Sequence, residues 1–232
     1  MQVCMNAAIA REPLTASVED YLKAIYNLSP EGRPASTSDI AHRLDLSAPS
    51  VSGMVKRLSE QGLLEHVPYK GVQLTEEGRR AALRMIRRHR VIETYLVDHL
   101  GYTWDTVHEE AERLEHAVSD TLIQRMADAM GNPHADPHGE PIPTADGLIE
   151  EIRATPLSEV PPGETVEVRR VTAGDPARLR YLASLDLKPG AVVTVLDRQP
   201  FQGPVTLRVE DRVQVLGNEL ALSLLCSRSV GR

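Results

Sequence analysis

Residues 108–116 read His-Glu-Glu-Ala-Glu-Arg-Leu-Glu-His. On a helix, His108, Glu112, Glu115 and His116 fall at i, i+4, i+7 and i+8, which is one face. Two imidazoles and two carboxylates then point the same way. Neighbouring carboxylates repel, and a divalent cation held by nitrogen and oxygen donors relieves that repulsion. Metal binding is the chemistry this run supports, although a solvated acidic face, the common fate of charge runs, has the same composition. Upstream, His89 and Glu93 stand one helical turn apart in an Arg-rich stretch. That pair is able to ligate a metal, and His89 alone reads equally as a phosphate-facing or solvated residue.

These side chains need helices to position them. The periodicity predicts a first helix from Thr15 or Ser17 to Leu28, buried through Val18, Tyr21, Leu22 and Ile25, and ended by Pro30, Gly32 and Pro34. A short second helix starts at Ser36 or Thr37. A tight turn at 45–47 leads to a third, capped by Ser47, with Pro49 in its first turn and Gly62 at its end. Two β-like runs, Leu63 to Val67 and Val72 to Leu74, flank a turn at Pro68-Tyr69-Lys70-Gly71. This is a winged helix-turn-helix. A long helix follows from Thr75 to Leu100, and another over 105–130 carries the His-Glu cluster. Residues 132–162, rich in Pro, Gly, Asp and His, read as a linker with a helical segment near Asp146 to Arg153. Alternating runs at 165–171, 191–196, 205–209, 213–215 and 220–225, with one helix near 176–185, then predict a small β-barrel.

In such a winged motif the third helix enters the major groove with its N-terminal end nearest the bases, here Ser47, Pro49 and Ser50. These residues offer few long donors, so methyl contacts, water and DNA shape must carry much of the specificity. Thr37, Ser38, Ser52, Lys56, Arg57 and Lys70 are the candidates for phosphate anchoring.

Charge agrees with two kinds of work. The 232-residue chain carries a net charge of −7, unevenly spread. Residues 33–90 hold 11 Lys and Arg against 6 Asp and Glu, whereas 91–168 hold 3 against 17. A basic segment suited to an anion thus precedes an acidic one suited to cations. Two cysteines, Cys4 and Cys226, offer neither a disulfide framework nor a Cys-based zinc site. No apolar run is long enough to span a bilayer, so a cytoplasmic protein is expected.

Taken together, Asp20-Tyr21-Leu22-Lys23-Ala24-Ile25-Tyr26, Ser47-Ala48-Pro49-Ser50-Val51-Ser52, Arg88-His89-Arg90, the cluster at 108–116, and Pro137-His138-Gly139-Glu140-Pro141-Ile142-Pro143 are specific. In these motifs the chain resembles the diphtheria-toxin-repressor family of metal-dependent transcriptional regulators, in its three-part form. The resemblance implies a mostly helical protein with a small β-barrel. Its parts would be a disordered N-terminus (1–14), a winged helix-turn-helix (15–78), a helical metal-binding and dimerisation domain (79–153), a linker (154–162) and an SH3-like, FeoA-like domain (163–232).

The resemblance also assigns ligands. Asp20, Glu112, Glu115 and His116 match the regulatory site. The iron-responsive members have Met at the first of these positions and Cys at the second. Carboxylates at both make the set hard and oxygen-rich, favouring Mn²⁺ with Fe²⁺ next. His89, Glu93 and His108 match a second site, with Asp175 at one position donated by the C-terminal domain. Arg178 stands where the other donor would be, and Lys23 departs from the Glu of dinuclear manganese regulators. The implied protein is a homodimer that binds operator DNA when loaded with metal and controls manganese or iron transport genes, its seam formed by the 105–130 helix and the 146–153 segment. No His-Glu-x-x-His, nucleophile elbow or phosphate-cradling loop is present, which argues against an enzyme. The remaining alternatives are an iron-dependent repressor and a metal buffer that binds no DNA.

Overall fold

The computed structural model describes residues 14–150 and 153–228. The chain divides into two compact units, Met1–Met85 and Ile86–Arg232. The N-terminal segment expected to be disordered lies, up to residue 13, outside the described residues.

In the first unit α1 (Ala16–Leu28), α2 (Thr37–Leu44) and α3 (Ala48–Glu60) precede a two-stranded wing, β1 (Leu64–Val67) and β2 (Gly71–Leu74). Leu22, Ile25, Ile40, Val51 and Leu58 are fully buried in one shared core, as their helical spacing requires. The helix starts are fixed by side chains. Ser36 Oγ accepts the Asp39 N–H at 3.0 Å and donates to Asp39 Oδ2 at 2.7 Å, and Ser47 Oγ accepts the Ser50 N–H. Each satisfies a donor that the first helical turn leaves unpaired. The wing is anchored close to its turn, where Ala35 and Val72 exchange two backbone hydrogen bonds of 2.9 Å. Gly71 permits that approach, because a Cβ there would lie 2.1 Å from the Ala35 carbonyl oxygen. The helix α4 (Glu76–Leu100) is continuous, and the division between the units falls after Met85.

The second unit continues from α4 through α5 (Val107–Leu114) and α6 (Asp120–Ala129). One helix was expected over 105–130, but the structure has two. Ser119 ends the first by capping the second, its Oγ accepting the Leu122 N–H at 3.2 Å. Val91, Ile92, Leu96, Val107, Ala111, Ile123 and Ala127 form the core of these helices. The 132–162 stretch is not simply a linker. Residues 134–142 turn back on themselves with Asp136 and Ile142 buried, and the described residues near 146–150 form a turn instead of a helix.

The C-terminal part comprises β3 (Thr155–Pro156), a 3₁₀ turn (Leu157–Glu159), β4 (Thr165–Val171), α7 (Pro176–Ser184), β5 (Val192–Arg198), β6 (Val205–Val209), β7 (Arg212–Leu216), α8 (Asn218–Ser223) and β8 (Leu224–Arg228). The strands form one antiparallel sheet of order β3-β8-β4-β5-β6-β7. Its outer strands, β3 and β7, do not pair with each other among the described residues, so the expected closed barrel is corrected to an open sheet. The run 220–225, read as a strand, is mostly α8, with β8 starting at Leu224. Leu157 is fully buried in the core of this sheet, so the start of the expected 154–162 linker belongs to the sheet's packing.

Trp104, from the segment before α5, is buried in that same core and stacks on His138 at 5.8 Å between ring centroids. The 138–140 segment meets β4 backbone to backbone. His138 O accepts the Val171 N–H at 2.8 Å, and a Cβ on Gly139 (φ +83°) would lie 2.0 Å from Arg169 O. Within the second unit, the helical part and the sheet are therefore joined by packed backbone.

Candidate metal centre

Helix α4 sets His89 and Glu93 one turn apart and facing inward, 6% and 2% exposed. Helix α5 brings His108 and Glu112, and Glu115 follows at its C-terminal cap, wholly buried. These residues converge on the His89 ring. Its Nε2 lies 2.9 Å from Glu93 Oε1 and 3.0 Å from His108 Nδ1, and that His108 nitrogen is 3.1 Å from the same Glu93 oxygen. On the other side, His89 Nδ1 lies 2.6 Å from Glu115 Oε2 and 3.8 Å from Glu112 Oε1. His108 Nε2 stands 3.6 Å from Glu112, and His116 Nε2 stands 3.6 Å from Glu115. The two ligand sets, read as separate from the sequence, thus share one imidazole.

A third grouping was not expected. Glu93 Oε2 lies 3.8 Å from His138 Nδ1, and ligand atoms of Glu93, Asp136 and His138 all fall within 4.8 Å of one another. The other His138 nitrogen is 2.7 Å from the Trp104 carbonyl oxygen, which fixes that nitrogen as the donor and leaves Nδ1 toward the carboxylates when the ring is neutral. Sequence reasoning placed His138 within a family motif but missed Asp136 and His138 as site residues. The signal available was a polar pair inside a Pro-rich segment that the fold buries.

The electrostatics of this corner are lopsided. Burial alone would raise the Glu93 pKa, but hydrogen bonds from His108, His138 and His89 outweigh it and hold the carboxyl far below its ordinary range. Burial, and then the neighbouring Glu93 charge, push Asp136 up to about 7. Burial works against the His138 charge, but Glu93 and Asp136 reverse that and raise its pKa. The two buried carboxylates thus differ, Glu93 favouring its charged form and Asp136 holding a proton more readily than an exposed aspartate. Glu93 and Asp136 would hold a divalent cation in their ionised forms, and the cation would supply the positive charge that offsets both.

The arginines beside His89 hold the corner in place. Arg87 donates to Pro143 O at 2.8 Å, and Arg90 donates to Pro141 O at 2.6 Å and Glu140 at 3.1 Å. Arg87 and Arg90 thus have partners within the protein, and His89 between them faces inward. The converging donors are nitrogen and oxygen, which fits a hard or borderline divalent cation.

The remaining expected residues fall elsewhere. Asp175 is exposed at the start of α7, where its Oδ1 accepts the N–H groups of Ala177 at 2.7 Å and Arg178 at 3.2 Å. It is a helix cap, and it is not among the residues gathered around His89. Arg178 pairs with Glu219 at 2.6 Å. Asp20 is carried by α1 in the first unit.

On α3 and its neighbours, Ser38, Ser47, Pro49, Ser50, Ser52, Lys56, Arg57 and Lys70 are exposed, and Thr37 is half-buried. The Ser52 hydroxyl donates back to Ala48 O at 2.9 Å, and Ser47 serves as the α3 cap. Both hydroxyls therefore have a structural task, and each keeps acceptor capacity for a further contact.

A winged helix-turn-helix in one unit and inward-turned nitrogen and oxygen donors in the other define the class, a metal-dependent DNA-binding regulator. The chain belongs to the diphtheria-toxin-repressor family of metal-dependent transcriptional repressors, which are not enzymes. Residues 13–72 match the family model described as "Iron dependent repressor, N-terminal DNA binding domain", 75–144 match "Iron dependent repressor, metal binding and dimerisation domain", and 155–228 match "FeoA domain". The chain is 37% identical over 197 residues to the iron-dependent repressor IdeR of Mycobacterium tuberculosis, covering 78% of this chain and 84% of that one. It is 31% identical over 218 residues to the diphtheria toxin repressor of Corynebacterium diphtheriae, covering 90% and 95%. Among solved structures it is similar to a manganese-dependent transcriptional repressor in complex with manganese, at 41% identity and a TM-score of 0.83, covering 92% and 100%. It is also similar to the manganese regulator SloR, at 34% identity and a TM-score of 0.75, covering 93% and 100%. Among the described residues no helix is long and apolar enough to cross a membrane.

Proposed function

We propose that this repressor senses Mn²⁺ and binds operator DNA as a homodimer when loaded, controlling manganese transport genes. The observation that carries the reading is the donor chemistry: the residues that group around His89 are imidazoles and carboxylates, with no cysteine among them in the described residues. Such a set suits Mn²⁺ first and Fe²⁺ second, with geometry and metal availability setting selectivity against Zn²⁺ and Cu²⁺. Resemblance to a manganese-bound repressor supports the same choice. The iron reading has support from the curated relatives named iron-dependent, and the ligand chemistry weighs against it.

In this reading Asp20, Glu112, Glu115 and His116 hold the regulatory ion, and Glu93 with His89, His108, Asp136 and His138 supplies donors for a second. The bound ion supplies positive charge that lets these carboxylates remain ionised side by side. Asp20 then couples the setting of α1, and through the shared core that of α3, to the helices of the second unit. DNA-competent conformers gain population because they hold the ion better. The N-terminal end of α3 reads the major groove, while Lys56, Arg57 and Lys70 anchor phosphates.

The test is operator binding by Glu112→Ala. Anisotropy titrations against intergenic DNA upstream of the protein's own gene should show Mn²⁺-dependent binding for wild type and its loss in the variant. Full operator affinity in the variant under Mn²⁺ would remove Glu112 from the regulatory set. Activation of wild type by anaerobic Fe²⁺ and not by Mn²⁺ would replace the manganese reading with the iron one.

A further inference from the structure

The tip of the wing sets two local rules against each other. Lys70 N–H donates to Val67 O at 3.0 Å, closing a β-turn over Val67, Pro68, Tyr69 and Lys70. Pro68 suits the second position of such a turn. The third residue, Tyr69, has φ 62°, in the left-handed region where glycine is the favoured occupant and a Cβ is crowded. Its ring gains nothing in exchange, since Tyr69 is 108% exposed. A residue that strains the backbone and buries no surface points to a use outside the chain's own packing.

The wing is built to hold that tip steadily. Four registered pairs join β1 to β2, and the Ala35–Val72 bridge clamps β2 directly after the turn, where only glycine at 71 allows the approach. Lys70 and His66 are exposed on the same hairpin, so the ring stands beside cationic and hydrogen-bonding groups. In a winged helix-turn-helix whose α3 lies in the major groove, the wing reaches the adjoining backbone and minor groove. There, long cations meet phosphates, and apolar or aromatic side chains pack on sugars and base edges.

We propose that Tyr69 is a DNA-contacting residue whose ring packs on the sugar wall of the minor groove flanking the site read by α3. The inference rests on the operator-binding reading above and adds to it a contact that carries no charge. Tyr69 strengthens binding without releasing counterions, in contrast to Lys70.

Full-length, Mn²⁺-loaded protein and a labelled duplex from its own upstream region give the test. Tyr69→Gly relieves the left-handed strain, although glycine also loosens the unfolded chain, so its melting temperature should be no lower than that of wild type. Its operator affinity should fall about 10-fold with an unchanged slope of log affinity against log salt. Lys70→Ala should lose affinity and flatten that slope by about 1. Tyr69→Phe should retain most of the affinity, because the ring makes the contact. Phe201, a fully exposed aromatic with φ 58° on a hairpin of the C-terminal sheet, supplies the control, and Phe201→Gly should leave operator affinity unchanged. Wild-type affinity in Tyr69→Gly, or equal losses in the Tyr69 and Phe201 variants, would overturn the inference while leaving the regulator reading standing. A wild-type protein that binds no DNA under any metal would overturn both.

Discussion

The His89 corner and the recognition helix α3 treat polar groups in opposite ways. Around His89, ionisable side chains are turned inward against one another, with Glu93 and Glu115 almost wholly buried. On α3, hydroxyls and cations stand in solvent above an apolar underside. A buried charge must find a partner or a proton, and in this corner imidazoles and carboxylates serve as one another's partners, so its state depends on how protons are shared among them. An exposed serine or lysine is already satisfied by water, so α3 is the same surface whether or not a ligand is present. Dependence on metal is therefore to be sought in the corner, and the reading of DNA in how α3 is presented.

The sharpest way to break this contrast is His89→Ala. It removes the imidazole that the Glu93–His108 and Glu112–Glu115 groups share, and calorimetric Mn²⁺ titration should show affinity reduced at least about 100-fold at every site the wild type has. Loss at one site with the other intact would show that the two groups work independently.

Next in size is the pH response of Asp136→Asn. With its pKa raised to about 7 from an unfolded value of 3.8, Asp136 favours the metal-free folded state while protonated. Its contribution is full below pH 3.8 and is lost as pH rises to about 7. The metal-free variant should lack this fall and exceed the metal-free wild type in stability at pH 8, as measured by urea unfolding. Mn²⁺ binding to wild type should release protons near neutral pH, and the variant should release fewer.

The smallest effect expected is that of Asp175→Ala. Loss of the α7 cap should cost about 1 kcal/mol in folding stability. Metal stoichiometry should be unchanged, because the cap is not part of the corner. A lost metal equivalent would restore Asp175 to the ligand set.

The same contrast explains what the sequence made legible. Helical spacing, a local rule, puts His89 with Glu93 and His108 with Glu112 and Glu115 on shared faces, and even with α5 ending at Leu114 both glutamates still reach His89; it is the family resemblance that reads them as metal ligands. Asp136 and His138 escaped because they sit on a turn held by Arg87 and Arg90, partners about 50 residues distant whose contacts no local rule encodes. Other differences had a visible cause. Ser119-Asp120 before an apolar run is a helix start by composition that the expectation of one helix over 105–130 passes over, and Asp175 before Pro176 is another, which the resemblance reads as a metal donor. The Gly217-Asn218-Glu219 start of α8 was likewise overridden by an alternating run. The wing and α3 were legible almost residue by residue, since caps, Pro49 and the turn at 68–71 are all short-range signals.

The claim that metal and DNA binding are two faces of one equilibrium is tested most directly by measuring Mn²⁺ affinity of the metal-stripped protein with and without saturating operator duplex. Coupling requires reciprocity, so the duplex should tighten Mn²⁺ binding by the same factor by which Mn²⁺ tightens duplex binding, on the order of 10-fold or more. Equal Mn²⁺ affinities in the presence and absence of operator would contradict the account and leave the His89 corner as a metal site without a regulatory role.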